Sequence, residues 1–267
     1  MKKYASISLI IFIVFSTLLN AHEFWIAPSK YIVKSNERFS FNCYVGEDFT
    51  PAIWAKRSQR TLKVMQHHLN NSLDITPIFI NNDSLNILMG LKGSGNFLIA
   101  LSSKPSYIEM EGKAFNDYLK EDGMMNVLEY RNDNKIDQQR SREYYQRCAK
   151  TLLQVAGKND DSYKKNTGMP LEIIPQSNPY TINNDSLSVF FEFKGKPLSN
   201  YQVRTWCKKN GQLIVKSFHT TNEKGVAVLS FKESGEWMIS LVKMEILNNN
   251  EKADYESYWG SYTFYKN

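Results

Sequence analysis

Histidine and cysteine, on which transition-metal and nucleophilic sites draw most often, are sparse in this chain. Four histidines (His22, His67, His68 and His219) and three cysteines (Cys43, Cys148 and Cys207) occur in 267 residues. No C-x-x-C spacing is present, which excludes a thiol redox motif and a zinc knuckle. An odd cysteine count leaves at least one thiol unpaired within a monomer. One disulfide in an oxidising compartment, or three buried small hydrophobes, are the two readings left open. The G-x-S-x-G elbow, the Walker loop, the dinucleotide fingerprint and H-E-x-x-H are also missing, so no pattern nominates a catalytic nucleophile and a non-enzymatic role is expected. A basic stripe is lacking too. The formal charge is +6, Lys2 and Lys3 supply two of it, and the other cations are interleaved with Asp and Glu, which excludes nucleic acid as the expected partner. Beyond residue 21 there is no apolar run long enough to span a bilayer.

The apolar run that does exist lies at the start. Lys2 and Lys3 precede a stretch over residues 9–19 broken only by Ser16 and Thr17, and Asn20-Ala21 follows. A basic start, a short apolar core and a small residue form the pattern of a secretory signal peptide, predicted here over residues 1–21. The stretch is shorter than the roughly 20 apolar residues of a spanning helix; an uncleaved N-terminal anchor is the alternative. Export to the periplasm or cell envelope and a mature chain beginning at His22 are the expectations.

The remainder alternates between strand and helix signals. Phe39, Phe41, Cys43 and Val45 alternate with polar neighbours, the period of a half-buried strand, and further short strands are predicted at 61–66, 75–80, 84–91 and 96–102. Residues 112–122 show Phe115, Tyr118 and Leu119 at helical spacing with Gly123 as a stop signal. Residues 141–156 place Tyr144, Cys148, Leu152 and Val155 on one helical face, with Gly157 just past the end. Residues 131–140 are polar and predict an exposed loop, and 158–167 a mobile connector. Strands resume at 187–193, and Asn210-Gly211 between two alternating runs, 201–208 and 212–219, is a strong hairpin signal. Strands at 226–231, 236–244 and 257–265 complete about seven in a hundred residues, the count of an immunoglobulin-like sandwich. The predicted architecture is mainly β: one β-sandwich unit over 22–110, a helical insert and linker over 111–167, and an immunoglobulin-like β-sandwich over 168–267.

Cleavage after Ala21 would make His22 chemically unusual. A free α-amine has a pKa near ~8, so it is partly deprotonated at neutral pH, and with the imidazole Nδ1 of the same residue it closes a small chelate ring. Nitrogen donors of this kind favour Ni and Cu over Co. Glu23 adds an adjacent carboxylate, and His219, Asp254, His67, His68 and Glu256 are the candidates for completing a shell. His67 and His68, as neighbours on a strand, point to opposite faces and do not share one ion there.

The pieces His22-Glu23-Phe24-Trp25-Ile26-Ala27-Pro28, Val45-Gly46-Glu47, Gly168-Met169-Pro170-Leu171-Glu172-Ile173-Ile174-Pro175, Asn178-Pro179-Tyr180, Gly195-Lys196-Pro197-Leu198 and Asp254-Tyr255-Glu256-Ser257-Tyr258-Trp259-Gly260-Ser261 occur in this order. In that order they resemble a family of exported bacterial proteins catalogued as a domain of unknown function, DUF4198. The family is similar to proteins encoded beside nickel and cobalt uptake transporters, and its second half resembles immunoglobulin-like or transthyretin-like modules. The resemblance implies metal handling, with His22 the residue whose position best supports a ligand role, and a membrane metal-uptake transporter or other envelope component as partner. Joined to the donors named above, it gives an expected ligand set of His22, Glu23, His219 and Asp254 for a Ni, Co or Cu ion. A β-sandwich that binds an envelope protein or glycan without metal is the alternative expectation, and a copper-dependent oxidase the second.

Overall fold

The computed structural model describes residues 23–55, 57–81 and 86–267; the predicted signal peptide and His22 lie outside them. Three sheets form among the described residues. The central one has ten strands, and along its main path the order is Gln212–Thr220, Gln202–Lys209, Gly235–Ile246, Tyr255–Lys266, Ser141–Val155, Gly95–Ser103, Thr61–His68 and Asn71–Asp74. Ile32–Val33 and Ser106–Met110 add to the Ser141–Val155 strand. A four-stranded sheet built on Glu23–Pro28 and Arg38–Gly46 covers one face, and another built on Leu171–Pro175 and Ser186–Phe193 covers the opposite face.

Side-chain alternation creates two separate cores from one sheet. On Gly95–Ser103, Leu98 and Ala100 enter one core while Phe97, Ile99 and Leu101 enter the other. The Ser141–Val155 strand does the same, with Cys148 and Leu152 on one side and Ala149, Leu153 and Val155 on the other. The mainly β expectation holds, and each four-stranded sheet forms a sandwich with part of the central sheet. The central sheet draws strands from 22–110, 111–167 and 168–267 alike, so the two sandwiches share a layer.

Four local expectations are corrected. Residues 141–155 are a strand, not a helix. A strand buried on both faces loses its period of two, and the apolar residues that remain imitate helical spacing. Residues 76–80 form a short helix, with Pro77 in its first turn, where a strand was expected. The polar segment 131–140 is not a free loop. Arg131 closes the helix Met125–Asp133 and is 1% exposed. Its guanidinium donates to Asn116 Oδ1, Ser141 Oγ, the Tyr255 hydroxyl and the carbonyls of Asp137 and Gln139 at 2.5–3.1 Å. All five N–H donors of the guanidinium are thereby used, and the segment wraps around them. The connector at 158–167 is pinned by a short 3-10 turn, Asp161–Lys164, whose Ser162 and Tyr163 are buried.

The helix Gly112–Glu121 forms as expected, and Gly123 follows it in a left-handed conformation, φ 76°. With Met125–Asp133 it packs Phe115, Leu119 and Val127 on Val242, Met244 and Trp259. These helices cover the face of the central sheet on which Glu23–Pro28 also lies. The Asn210-Gly211 hairpin is present, with one bulge at Cys207/Lys208. All three cysteines are free and buried, and burial pushes each thiol pKa up to about 12, so they are apolar packing groups with no thiolate at neutral pH. No helix among the described residues is long and apolar enough to cross a membrane.

Candidate functional site

Where the strand Glu23–Pro28, the end of the helix Gly112–Glu121 and the central sheet meet, three charged side chains are shut away from water. Strand Gln202–Lys209 turns Val203 and Cys207 to one core and Trp206 to the other. Arg204 shares the Trp206 side, 5.4 Å from that ring. Its Nη1 donates to Asp122 Oδ1 at 2.8 Å and lies 3.1 Å from Glu23 Oε1. The side chains of Glu23, Asp122 and Arg204 are between 6% and 13% exposed. Burial lifts the Asp122 carboxyl to about 7, Arg204 opposing the shift and Glu23 adding to it. Arg204 Nη2 is buried with no hydrogen-bond partner. Phe24 and Trp25 follow at 2% and 0% exposure, so the strand that begins at Glu23 is fixed from its first described residue.

Beside this group, Glu143 is wholly buried. Its Oε1 accepts from the hydroxyls of Tyr118 at 3.1 Å and of Ser257, while Oε2 has no partner. Burial raises its carboxyl to about 7, the two hydroxyls pulling the other way and Asp122 adding to the rise. The sign of the linkage follows. Between about pH 4.5 and about pH 7 the unfolded chain has released this proton and the native protein still holds it, so stability falls as pH rises through that window. Glu143→Gln keeps an acceptor for both hydroxyls and cannot ionise. Urea unfolding at pH 4.5 and pH 7.5 is expected to shift the difference between the two proteins by about 3 kcal/mol in favour of the variant. A difference that does not change with pH would contradict a protonated buried Glu143.

The remaining predicted ligands are dispersed. His219 is in register with Val203, on the opposite face of the sheet from Arg204 and Glu23, and its Nε2 is 3.2 Å from Thr205 Oγ1. Asp254 is held by Arg142 through Oδ1 at 2.8 Å and Oδ2 at 3.2 Å, and it also accepts from the Arg142 backbone N–H. That pairing holds its carboxyl below the usual range. It lies just before the strand Tyr255–Lys266, seven residues ahead of Ser261, the position in register with Arg204 through Ser240. His67 and His68 do face opposite ways. His67 is bonded to Ser72 Oγ at 2.7 Å with its Nε2 buried and unpartnered. His68 stacks on Phe97 at 4.0 Å and donates to the Asn96 carbonyl. Among the described residues no three His, Cys, Asp or Glu side chains gather into a cation site. Of the four predicted ligands, Glu23 is the one at this junction, and His22 lies outside the described residues.

Sequence reasoning missed Asp122, Glu143 and Arg204. Asp122 carried a signal, because it stands directly before the helix-stopping Gly123. Arg204 stood in a predicted strand beside Val203 and Trp206, where a cation implies a buried partner. Glu143 was concealed by the helical reading of 141–156.

No curated protein matches the chain. Among solved structures it is similar to Salmonella alpha-2-macroglobulin reacted with methylamine (9% identity, TM-score 0.24, 91% of this chain and 15% of that one). It is also similar to the D0-D1 domain of intimin (12%, TM-score 0.20, 91% and 97%) and a marsupial T cell receptor (9%, TM-score 0.22, 91% and 73%). The chain thus spans about 15% of the macroglobulin's length. The model of one family, described as a domain of unknown function (DUF4198), matches residues 19–245, which takes in the whole Glu23–Asp122–Arg204 junction and stops short of the Asp254–Ser261 piece. The chain belongs to the DUF4198 family.

Proposed function

We propose that the protein is a non-enzymatic exported binding protein of the periplasm or cell envelope, and that His22, freed by cleavage after Ala21, binds a divalent transition ion of the Ni, Co or Cu class. The observation that carries this reading is the burial of Glu23, Phe24 and Trp25 immediately after the expected cut. Consecutive Cα atoms are 3.80 Å apart, so the α-amine and imidazole of residue 22 are tethered to a fixed point, and ordering them costs less than on a frayed terminus. The dispersal of His219 and Asp254 leaves the amine and Nδ1 of His22 as the primary donors, with the carboxyl of Asp122 the group brought to this end of the strand by Arg204. The family's similarity to proteins encoded beside nickel and cobalt uptake systems supports an uptake transporter as the partner. A copper oxidase would require a second imidazole beside His22. His67 faces the Leu98 core, His219 is on the sheet face away from Glu23, and His68 contacts Asn96, which pairs with Gln154, seven residues along the strand from the Arg147 that lies under Phe24.

Calorimetric titration with Ni²⁺ or Cu²⁺ tests the proposal, using protein that begins at His22 and the same protein carrying one extra glycine ahead of it. The expected result is one ion per chain for the first and at least tenfold weaker binding for the second. Equal affinities, or no binding to either, would overturn the N-terminal site.

A further inference from the structure

Arg147 is a buried cation to which the described residues offer no anion. It stands two residues before Ala149 on the strand Ser141–Val155, on the face turned toward Phe24 and Trp54, and is 6% exposed. The rings of Tyr145, Phe24 and Trp54 lie 4.9, 5.3 and 5.9 Å from its guanidinium carbon. It makes no ion pair among the described residues, and its Nε is buried without a hydrogen-bond partner. Rings attract a cation but lack the lone pairs that the five N–H donors of a guanidinium seek. Burial lowers the Arg147 pKa, Tyr145 opposing the fall and the nearby charge of Arg60 adding to it. Two more buried donors stand beside it. The Trp54 indole Nε1 and the Thr61 hydroxyl are each buried without a partner. Trp54 packs on Phe24 with ring centroids 4.8 Å apart. Thr61 is in register with Ser103, whose Oγ accepts from the Arg147 backbone N–H at 2.9 Å. Ser103 follows Leu101 by two residues, and Leu101 shares a core with Ala149, so Thr61 and Arg147 occupy one face of the sheet. Arg60 directly precedes Thr61.

We propose that this group binds the carboxylate of a small organic acid, paired with the Arg147 guanidinium and supported by the Trp54 and Thr61 donors. Unmatched buried polar groups are costly, and a negatively charged acceptor meets the need of all three at once. A flat two-oxygen group matches the fork of a guanidinium through two parallel charge-assisted hydrogen bonds. One guanidinium balances one negative charge. Phe24, Trp54 and Thr61, each 2% exposed, make the surroundings dry, and a dianion such as phosphate would keep uncompensated charge there. Tyr145 and Arg60 are only partly buried, so they mark the side open to the ligand, with Arg60 a second cation at the rim. None of the proposed metal ligands belongs to this group, which stands independently of the metal reading.

The test is nitrogen-15 NMR of the protein beginning at His22, titrated in metal-free buffer with acetate and, separately, with phosphate. The Arg147 Nε–H signal and the Trp54 indole signal, the latter identified by its loss in Trp54→Phe, are expected to move together to saturation with acetate. Their common dissociation constant should be at least about tenfold lower for acetate than for phosphate. Arg147→Met should abolish the response of the Trp54 signal. Trp54→Phe keeps a ring and Thr61→Val keeps the shape, so both variants retain the packing. Each should weaken acetate binding at least about fivefold, the loss of one hydrogen bond to a charged group, with far-ultraviolet circular dichroism unchanged. Absence of a saturable shift at both signals, phosphate binding as tight as acetate, or an affinity unaltered in any of the three variants would each overturn the proposal.

Discussion

Replacing Arg204 with methionine is expected to lower the free energy of unfolding at pH 8 by about 3–5 kcal/mol, the cost of stranding buried charge. The guanidinium lies between Glu23 and Asp122, both nearly closed to solvent. Methionine fills much of the same space and supplies no charge, so the loss measures electrostatics more than packing. Asp122, already lifted to about 7 with Arg204 in place, would rise further without it. The deficit should therefore narrow toward pH 5, where the Asp122 carboxyl holds its proton and that part of the buried charge disappears. Urea titrations at the two pH values read both effects. A deficit below about 1 kcal/mol at pH 8 would place the pair among weakly coupled surface contacts and contradict the burial described here.

The second large effect is expected at Lys150. This residue is 1% exposed on the central strand Ser141–Val155, and its ammonium donates to Glu172, to the Lys165 carbonyl and to the Ile173 carbonyl. Its three donors are all matched. Glu172 in turn accepts at Oε1 from the backbone N–H of Thr167 and of Met169 and from the Thr167 hydroxyl. Lys150→Met leaves a buried carboxylate without its cation and should cost about 3–5 kcal/mol. Adding Glu172→Gln removes that charge while keeping an oxygen for the loop, so the double variant should regain at least half of the loss. Chemical denaturation of the wild type, the two single variants and the double variant measures the coupling, and additive losses would refute an interacting pair.

Lys150 also shows where the amino-acid sequence stopped being legible. The Gly168–Pro175 piece was visible as part of a family pattern, and the structure explains it as the segment that folds over a buried ammonium. The hairpin at Asn210-Gly211 and the helix ending at Gly123 could be read because a turn needing positive φ leaves a local chemical mark. The half-buried strand Arg38–Gly46 could be read because one face is wet and one dry. Ser141–Val155 could not, since both of its faces are covered and its partners, Tyr255–Lys266 and Gly95–Ser103, are distant in sequence. The same blindness hid the site. Glu23 was singled out for its neighbour His22, whereas its measurable partner, Arg204, stands 181 residues away, and no spacing rule connects them. His219 and Asp254 were chosen by residue type alone, and pairing register then set one on the wrong face and tied the other to Arg142.

The position of Tyr255–Lys266 has a consequence for the order in which the protein can be assembled. It pairs in parallel with Ser141–Val155 on one side and antiparallel with Gly235–Ile246 on the other, so it is the seam of the central sheet and follows in sequence every strand it joins. A chain emerging from its N-terminal end holds two unjoined half-sheets until this segment appears, and the contacts it then makes are long-range ones that form slowly. Until then the two halves of the central sheet stay unjoined, and the chain closes only when the seam is supplied.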